Sequence, residues 1–370
     1  MYDLGRRRRT LLSPYDLLVA ALSRLSLRIK HAVGLNSNMA RIKDVAELAG
    51  VNRSTVSRII NGEGKFREET RKKVEAAMAQ LNYRPSAIAR SLATSSSNMV
   101  GLLVTYYTGG FFGEMMEQVQ TELDIHKKFL ITAQGHHSAE GEREAIERFN
   151  DLRCDGYVLH SRYLSDDELR ELAKLPTPFV LLDRYVEGIE ERCVTFNHHD
   201  ASRIAVEHLI SGGHRHIACI TGPSQRHNSF LRKLGYVDAI KSAGIEIDES
   251  WCEEGNYGRQ SGYDAMASIY RRHPEITALF SCSEEMTVGA MQFLHEHKIS
   301  VPEQISLVSF DSVDLCESLY PTVSAVHFPI SDMARVAVQT LIGLVKDQQI
   351  ESKPIFEAQL KIRKADRSLW

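Results

Sequence analysis

From Met99 onward, short apolar runs alternate with helix-like segments, and this alternation constrains the fold more than any other feature of the chain. The apolar runs lie at 100–105, 129–132, 156–159, 178–182, 216–221, 278–282 and 305–310. Helix-compatible stretches at 138–152, 199–211, 258–272 and 285–297 fall between them. Strands that alternate with helices pair in parallel and are wound by right-handed crossovers. The runs are too many for one small sheet, so two consecutive three-layer units are expected. In such sheets ligands sit beyond the carboxyl ends of the strands.

The length of 370 residues suits two or three domains. Hydrophobic residues make up 43% and charged residues 25%, the profile of a soluble globular protein. Cysteines at 154, 193, 219, 252, 282 and 316 show no metal spacing. They read as small apolar residues of a reducing compartment, and a cytoplasmic location is expected. No run of about 18 apolar residues suggests a membrane span. Arginines at 6–9 precede Leu11 and Leu12, but a secretory signal needs an unbroken apolar core of at least about 7 residues. Here the stretch 17–22 is followed at once by Ser23 and Arg24. Residues 1–38 read as a disordered extension or as translation assigned upstream of a start at Met39.

The net charge of −3 is unevenly spread. Residues 39–98 hold 11 Lys/Arg against 6 Asp/Glu, and residues 1–38 hold 7 against 2, so the remainder is acidic. A basic head on an acidic body suggests that the head meets nucleic acid. Within the head, the pattern predicts helices at 42–49, 53–60 and 67–81, with Val74, Met78 and Leu81 as the apolar stripe of the third. Gly50 falls where a left-handed turn residue is wanted. Asn52 is placed to cap the second helix through its side-chain oxygen.

The spacing of Ala46, Gly50 and Val56 is that of a helix-turn-helix: a small residue where helices approach, a turn glycine, and an apolar anchor. The second helix offers Arg53, Ser54, Thr55, Ser57 and Arg58 near its N-terminal end, which enters the major groove in this motif. Arg58 suits bidentate pairing with guanine, Arg53 and Ser54 tune the preference, and Thr55 and Ser57 suit phosphate. Arg41, Asn52, Asn61 and Thr70 complete the expected DNA-facing set. After Pro85, residues 86–93 are helix-compatible but only about two turns long, too short to be stable alone. A polar linker, Thr94-Ser95-Ser96-Ser97-Asn98, comes next.

The run IKDVAELAGVNRSTVSRIING, then TRKKVEAAMAQLNYRP and SAIARSLA, resembles the head of the LacI/GalR family of transcription repressors, and the resemblance extends from residue 40 to about 365. It implies a helix-turn-helix domain over 39–85, a hinge helix and linker over 86–98, and a body over 99–370. The body would be two doubly wound parallel-sheet subdomains like a periplasmic binding protein, serving effector binding and dimerisation. Residues 86–93 match the hinge helix that folds on operator DNA, and Leu92 matches the leucine wedged into the minor groove. Tyr83, Ser86, Ala89 and Arg90 would flank it. Arg67 stands where many relatives have a smaller polar residue, which would allow an extra phosphate contact.

In the body, the resemblance implies that Phe111 stacks on a sugar's apolar face. Asp183, Arg232, Ser283 and Asp311 would supply polar contacts to its hydroxyls. Two positions depart from the family pattern: Ser283-Glu284-Glu285-Met286-Thr287 replaces N-D-x-M-A, and Phe310-Asp311-Ser312 replaces F-D-D. The segments HHSAEGEREAIERFNDLRCDGYVLHSRYLSDDEL and GHRHIACITG are most similar to the galactose and β-glucoside branch.

These features lead to a homodimeric repressor on palindromic double-stranded operator DNA, relieved by a small sugar, with no cofactor and no metal. One recognition helix reads few bases, and two give a palindrome. The rivals are a corepressor-dependent regulator responding to a purine, and an enzyme or transport protein on the same body. Neither G-x-G-x-x-G, G-x-x-x-x-G-K-[ST] nor G-x-S-x-G occurs, and the pairs His136-His137, His198-His199 and His214/His216 lack metal spacing.

Overall fold

The structure is a computed structural model describing residues 40–84, 96–311, 314–348 and 355–369, without the side chain of Asp311. The expected extension at 1–38 and hinge helix at 86–93, with Ser86, Ala89, Arg90 and Leu92, lie outside the described residues. The chain divides into two units, Met1–Ser95 and Ser96–Trp370.

In the first unit, α1 (Ile42–Ala49), α2 (Arg53–Ile60) and α3 (Glu68–Gln80) enclose a small core of Val45, Ala46, Ala49, Val56, Val74 and Ala77. Gly50 ends α1 at φ 66°, and Val51 N–H donates to the Ala46 carbonyl, so the chain reverses within two residues. Asn52 does occupy the N-cap of α2, but its side chain makes no capping bond, contrary to expectation. The cap acts through the Asn52 carbonyl, which accepts from Thr55 and Val56, and the carboxamide stays exposed.

The second unit holds two sheets. Strands β1 (Met99–Val104), β2 (Phe129–Gln134), β3 (Gly156–Leu159), β4 (Phe179–Leu182) and β5 (Cys193–Val194) form one, in the order β2-β1-β3-β4-β5 and all parallel. The central strands are apolar throughout because both faces are covered. Leu102, Val104, Val158 and Val180 face one layer; Leu103, Leu159, Phe179 and Leu181 face the other, with α5 (Ala139–Asp151) and α6 (Asp166–Ala173).

Strands β6 (Ile217–Thr221), β7 (Cys252–Glu254), β8 (Ala278–Ser281), β9 (Ser306–Asp311), β10 (Ser324–His327) and β11 (Gln359–Lys361) form the second sheet. Its order is β11-β10-β9-β8-β6-β7, with only β11 antiparallel. Helices α7 (His198–Ser211), α8 (His227–Ser242), α9 (Arg259–Arg272) and α10 (Glu284–Glu296) flank it.

The two sheets follow one another along the chain, as the alternation predicts, but the layers that cover them do not. After β10 the chain returns to the first sheet, where α11 (Ile330–Val345) packs on β3, β4 and α4 (Gly110–Ile125). It then crosses back to add β11 beside β10. The sequence reading did not single out this helix, and which sheet it covers is set by long-range packing that periodicity does not encode.

Glycine permits one close approach in the second layer. A Cβ on Gly289 of α10 would strike the Arg259 carbonyl oxygen, and one on Gly262 of α9 would strike that of Met286. Gly113 in α4 faces open space. Gly289→Ala is therefore expected to lower the unfolding free energy by about 1–3 kcal/mol. Gly113→Ala should leave it unchanged or raise it by up to about 1 kcal/mol. Urea titration compares the two, and equal effects would contradict this packing.

Candidate ligand cleft and nucleic-acid interface

The head presents a polar face on α2. Arg53, Ser54 and Arg58 are exposed, Thr55 and Ser57 are half-buried, and Val56 is turned fully into the core. The Arg58 guanidinium lies over the Phe66 ring, 5.4 Å from its centroid. Arg41 is exposed at the N-cap of α1, where its backbone N–H donates to Asp44 Oδ2 at 2.7 Å. Asn61 caps the end of α2; Thr70, in the first turn of α3, and Tyr83 are half-buried. Arg67, the N-cap of α3, is exposed.

In the second unit, the loops at the carboxyl ends of both sheets enclose a cleft of about 730 Å³. In the first sheet β1 lies between β2 and β3, and in the second β6 lies between β8 and β7. These strands are where the order reverses, so neighbouring loops diverge and leave a crevice. Phe111 reaches the cleft after β1, His160 and Arg162 after β3, and Asp183 after β4. Arg226 and Arg232 enter from α8 and its N-cap, Tyr257 after β7, Ser283 after β8, and Phe310 on β9. Four of the five residues expected at an effector site thus meet in one cleft. Asp311 ends β9, and its side chain is outside the description.

The polar floor of this cleft is a continuous buried chain. Thr105 Oγ1 bonds His160 Nδ1 at 3.0 Å, and His160 Nε2 faces Arg162 Nη2 at 2.6 Å. Arg162 pairs with the Asp183 carboxylate and donates to the Asp183 carbonyl at 2.6 Å. The other Asp183 oxygen takes His198 Nε2–H at 2.7 Å, and His198 Nδ1 accepts from Arg232 Nε at 3.1 Å. Arg232 donates onward to the Cys282 carbonyl and lies 3.9 Å over the Phe310 ring. Asp183, expected to face a ligand, therefore has both oxygens engaged within the protein, and its backbone is left-handed at φ 59°. It presents to the cleft an aimed and neutralised Arg162.

Ser283 also serves two roles, since its hydroxyl oxygen caps α10 by accepting from Met286 N–H at 3.3 Å. Phe111 lines the cleft while stacking on Phe328, centroids 5.5 Å apart and planes 13° off parallel. Each is both a packing residue and a cleft residue.

The sequence reading missed Arg162, His160, Arg226 and Tyr257. Arg162 and His160 directly succeed an apolar run, so the strand-end rule could have marked them. Glu142 was not legible. It is buried in α5 and accepts from Ser161 Oγ and from the N–H groups of Arg162, Tyr163 and Leu164, which folds the loop that carries Arg162.

Burial sets the protonation of the chain. His198 is lowered to about 4, because burial outweighs the attraction of Asp183. The geometry agrees, since Nδ1 receives an arginine N–H and has no room for a proton. Burial acts to raise the Asp183 carboxyl, but His198 and Arg162 outweigh it and hold it well below the usual carboxylate range. Burial also lowers His160 and His214. Among the described residues no group of three His, Cys, Asp or Glu side chains is placed to hold a metal, and no helix is long and apolar enough to cross a membrane.

A helix-turn-helix head on a two-sheet body with a cleft at its strand ends defines a ligand-responsive class of DNA-binding regulator. Residues 41–86 match the model of bacterial regulatory proteins of the lacI family, and residues 206–365 match that of a periplasmic binding protein-like domain. The chain is 33% identical over 325 residues to the HTH-type transcriptional regulator AscG of Escherichia coli K12, covering 87% of this chain and 97% of AscG. It is 33% identical over 326 residues to the HTH-type transcriptional repressor PurR of Vibrio campbellii, covering 88% and 97%. The lac repressor dimer bound to operator and the anti-inducer ONPF superposes with a TM-score of 0.80 at 26% identity, covering 89% of this chain and all of that one. The chain belongs to the LacI family. It is a DNA-binding transcriptional repressor with a LacI-like fold, and its relatives are regulators rather than enzymes.

The buried histidines make stability depend on pH. In the unfolded chain each binds a proton near its ordinary 6.5; in the folded chain each stays neutral to lower pH. Stability from this source is complete above about 6.5 and is lost as the pH falls toward 4. The urea midpoint should drop steadily from pH 7 to pH 5, and His198→Gln should reduce that slope. A midpoint flat over this range would show that His198 is not held neutral.

Proposed function

We propose that the protein is a homodimeric repressor of a carbohydrate-utilisation operon, released from a palindromic operator by a small galactoside- or β-glucoside-type sugar. The observation that carries this reading is the cleft, where an aromatic face, aimed guanidinium groups and hydroxyls converge. A polyol offers both apolar C–H faces and hydroxyl groups, and this lining answers both. Phe111 lies under the ring of the sugar. Arg232, Ser283 and Asp311 exchange hydrogen bonds with its hydroxyls, and Asp183 contributes by aiming Arg162. Because loops of both sheets contribute, a ligand preferring one closure state shifts the equilibrium between states, and operator affinity with it.

In the head, Arg58 reads guanine and Arg53 and Ser54 tune the preference. Thr55 and Ser57 bind phosphate, with Arg41, Asn52, Asn61 and Thr70 beside them. Residues 39–85 act as the DNA-binding domain, 86–98 as hinge and linker, and 99–370 as effector and dimerisation domain. Tyr83, Ser86, Ala89 and Arg90 support Leu92, the minor-groove wedge. Similarity to the repressor PurR favours one second reading, in which a purine acts as corepressor.

Gel shifts on a palindromic site selected from random DNA distinguish the two. Galactosides or β-glucosides should weaken binding at least about tenfold, a coupling of typical allosteric size. Affinity that rises with purines, and ignores sugars, would replace this reading with the corepressor one. Leu92→Ala should weaken binding to the selected site more than to random DNA, because a wedge bends the duplex and adds no phosphate charge. Equal losses on both DNAs would contradict the wedge.

A further inference from the structure

The cleft carries four guanidinium groups, and three have settled partners. Arg162 pairs with Asp183, Arg259 pairs with Glu285, and Arg232 donates to His198 and the Cys282 carbonyl and lies over the Phe310 ring, with its remaining N–H groups toward the cleft. Arg226 differs. Among the described residues no carboxylate forms an ion pair with it, and its surroundings are the Tyr257 ring, 5.5 Å from the guanidinium, and the Tyr106 and Tyr163 hydroxyls. It is half-buried, so water screens its charge only in part.

The backbone adds positive charge at the same point. Arg226 is the N-cap of α8, a helix of 16 residues; its side chain makes no capping bond, and although Ser229 N–H donates to Asn228 Oδ1 at 2.9 Å, the N–H groups of His227 and Asn228 have no partner among the described residues. A second cavity of about 320 Å³ lies beside the cleft. Arg162, Asp183, Arg226 and Asn228 line both spaces, and Gln225, His227 and Asp166 line the second alone. Because Arg226 itself lines the main cleft, a substituent on a ligand there can meet its guanidinium.

We infer that the effector is an anionic sugar, bearing a phosphoryl or carboxylate group, and that Arg226 together with the N-terminus of α8 is the receptor for that group. This rests on the sugar-responsive reading of the same cleft and narrows its ligand class. A guanidinium offers paired N–H donors that match two oxygens of either anion. A neutral glycoside would leave Arg226 without a counter-charge.

The test is calorimetric titration of the full-length protein with methyl β-glucoside and methyl β-galactoside, each as the neutral sugar, the 6-phosphate and the uronide. Inorganic phosphate serves as a control for charge alone. At low salt one anionic form should bind at least about tenfold more tightly than its neutral parent. Arg226→Gln should bring the two within about threefold, and Arg226→Lys, which keeps the charge, should retain part of the preference. The phosphate and uronide arms identify which anion is taken. Equal binding of neutral and anionic forms overturns the inference while leaving the sugar-responsive repressor intact. So does an anion preference that survives Arg226→Gln. Inorganic phosphate binding as tightly as the best glycoside would also overturn it, since no sugar would then be recognised. No binding of any glycoside, with operator binding normal, would overturn the sugar reading itself.

Discussion

The hydrogen bond between Asp183 and His198 joins the two halves of the ligand cleft, and the polar arrangement of that cleft depends on it. Asp183 directly follows a strand of the first sheet and His198 begins a helix that packs on the second. Removing the carboxylate would leave Arg162 charged and buried without its partner, and would free His198 to turn away from Arg232. Truncating one member of a buried pair costs about 3–5 kcal/mol. The bond therefore does more than stabilise: it fixes where two guanidinium groups point and keeps an imidazole between them neutral. The left-handed backbone at Asp183 is held in place by the same contacts.

On the proposed reading, this arrangement gives a physical route from ligand to closure. Groups from both sheets touch through side chains that a ligand would also touch. A sugar that draws on Arg232 competes with His198 for the same donor. The consequence at Asp183 is a change in how the first sheet is tied to the second. Small shifts at such a junction favour one packed arrangement over another because cores do not deform continuously.

Much of this was legible in the sequence, and the losses have identifiable causes. The helices at 42–49 and 53–60 were placed to the residue because Gly50 and the apolar positions leave little choice. Strands buried on both faces announce themselves as apolar runs, so most were found, although β5, β7 and β11, only two or three residues long, and β10, which places Ser324 and His327 around two apolar residues, were not. The capping bond of Asn52 failed because the backbone alone satisfies the helix start. Phe111, Arg232 and Ser283 were pointed to by the family resemblance and not by local pattern, and all three line the cleft. Asp183 was found, but its role changed once His198 and Arg162 stood on its two oxygens. Glu142 and the return of α11 to the first sheet depend on contacts between residues far apart in the chain, which local pattern cannot express.

On the proposed reading, occupancy of the cleft and grip on operator DNA are one coupled equilibrium. Linkage requires the coupling to be reciprocal. The most direct measurement is the calorimetric affinity of the most effective releasing glycoside, taken with the free protein and again with saturating operator duplex. Operator should weaken sugar binding by the same factor by which that sugar weakens operator binding. Sugar affinity unchanged by operator, or increased by it, would contradict the coupling.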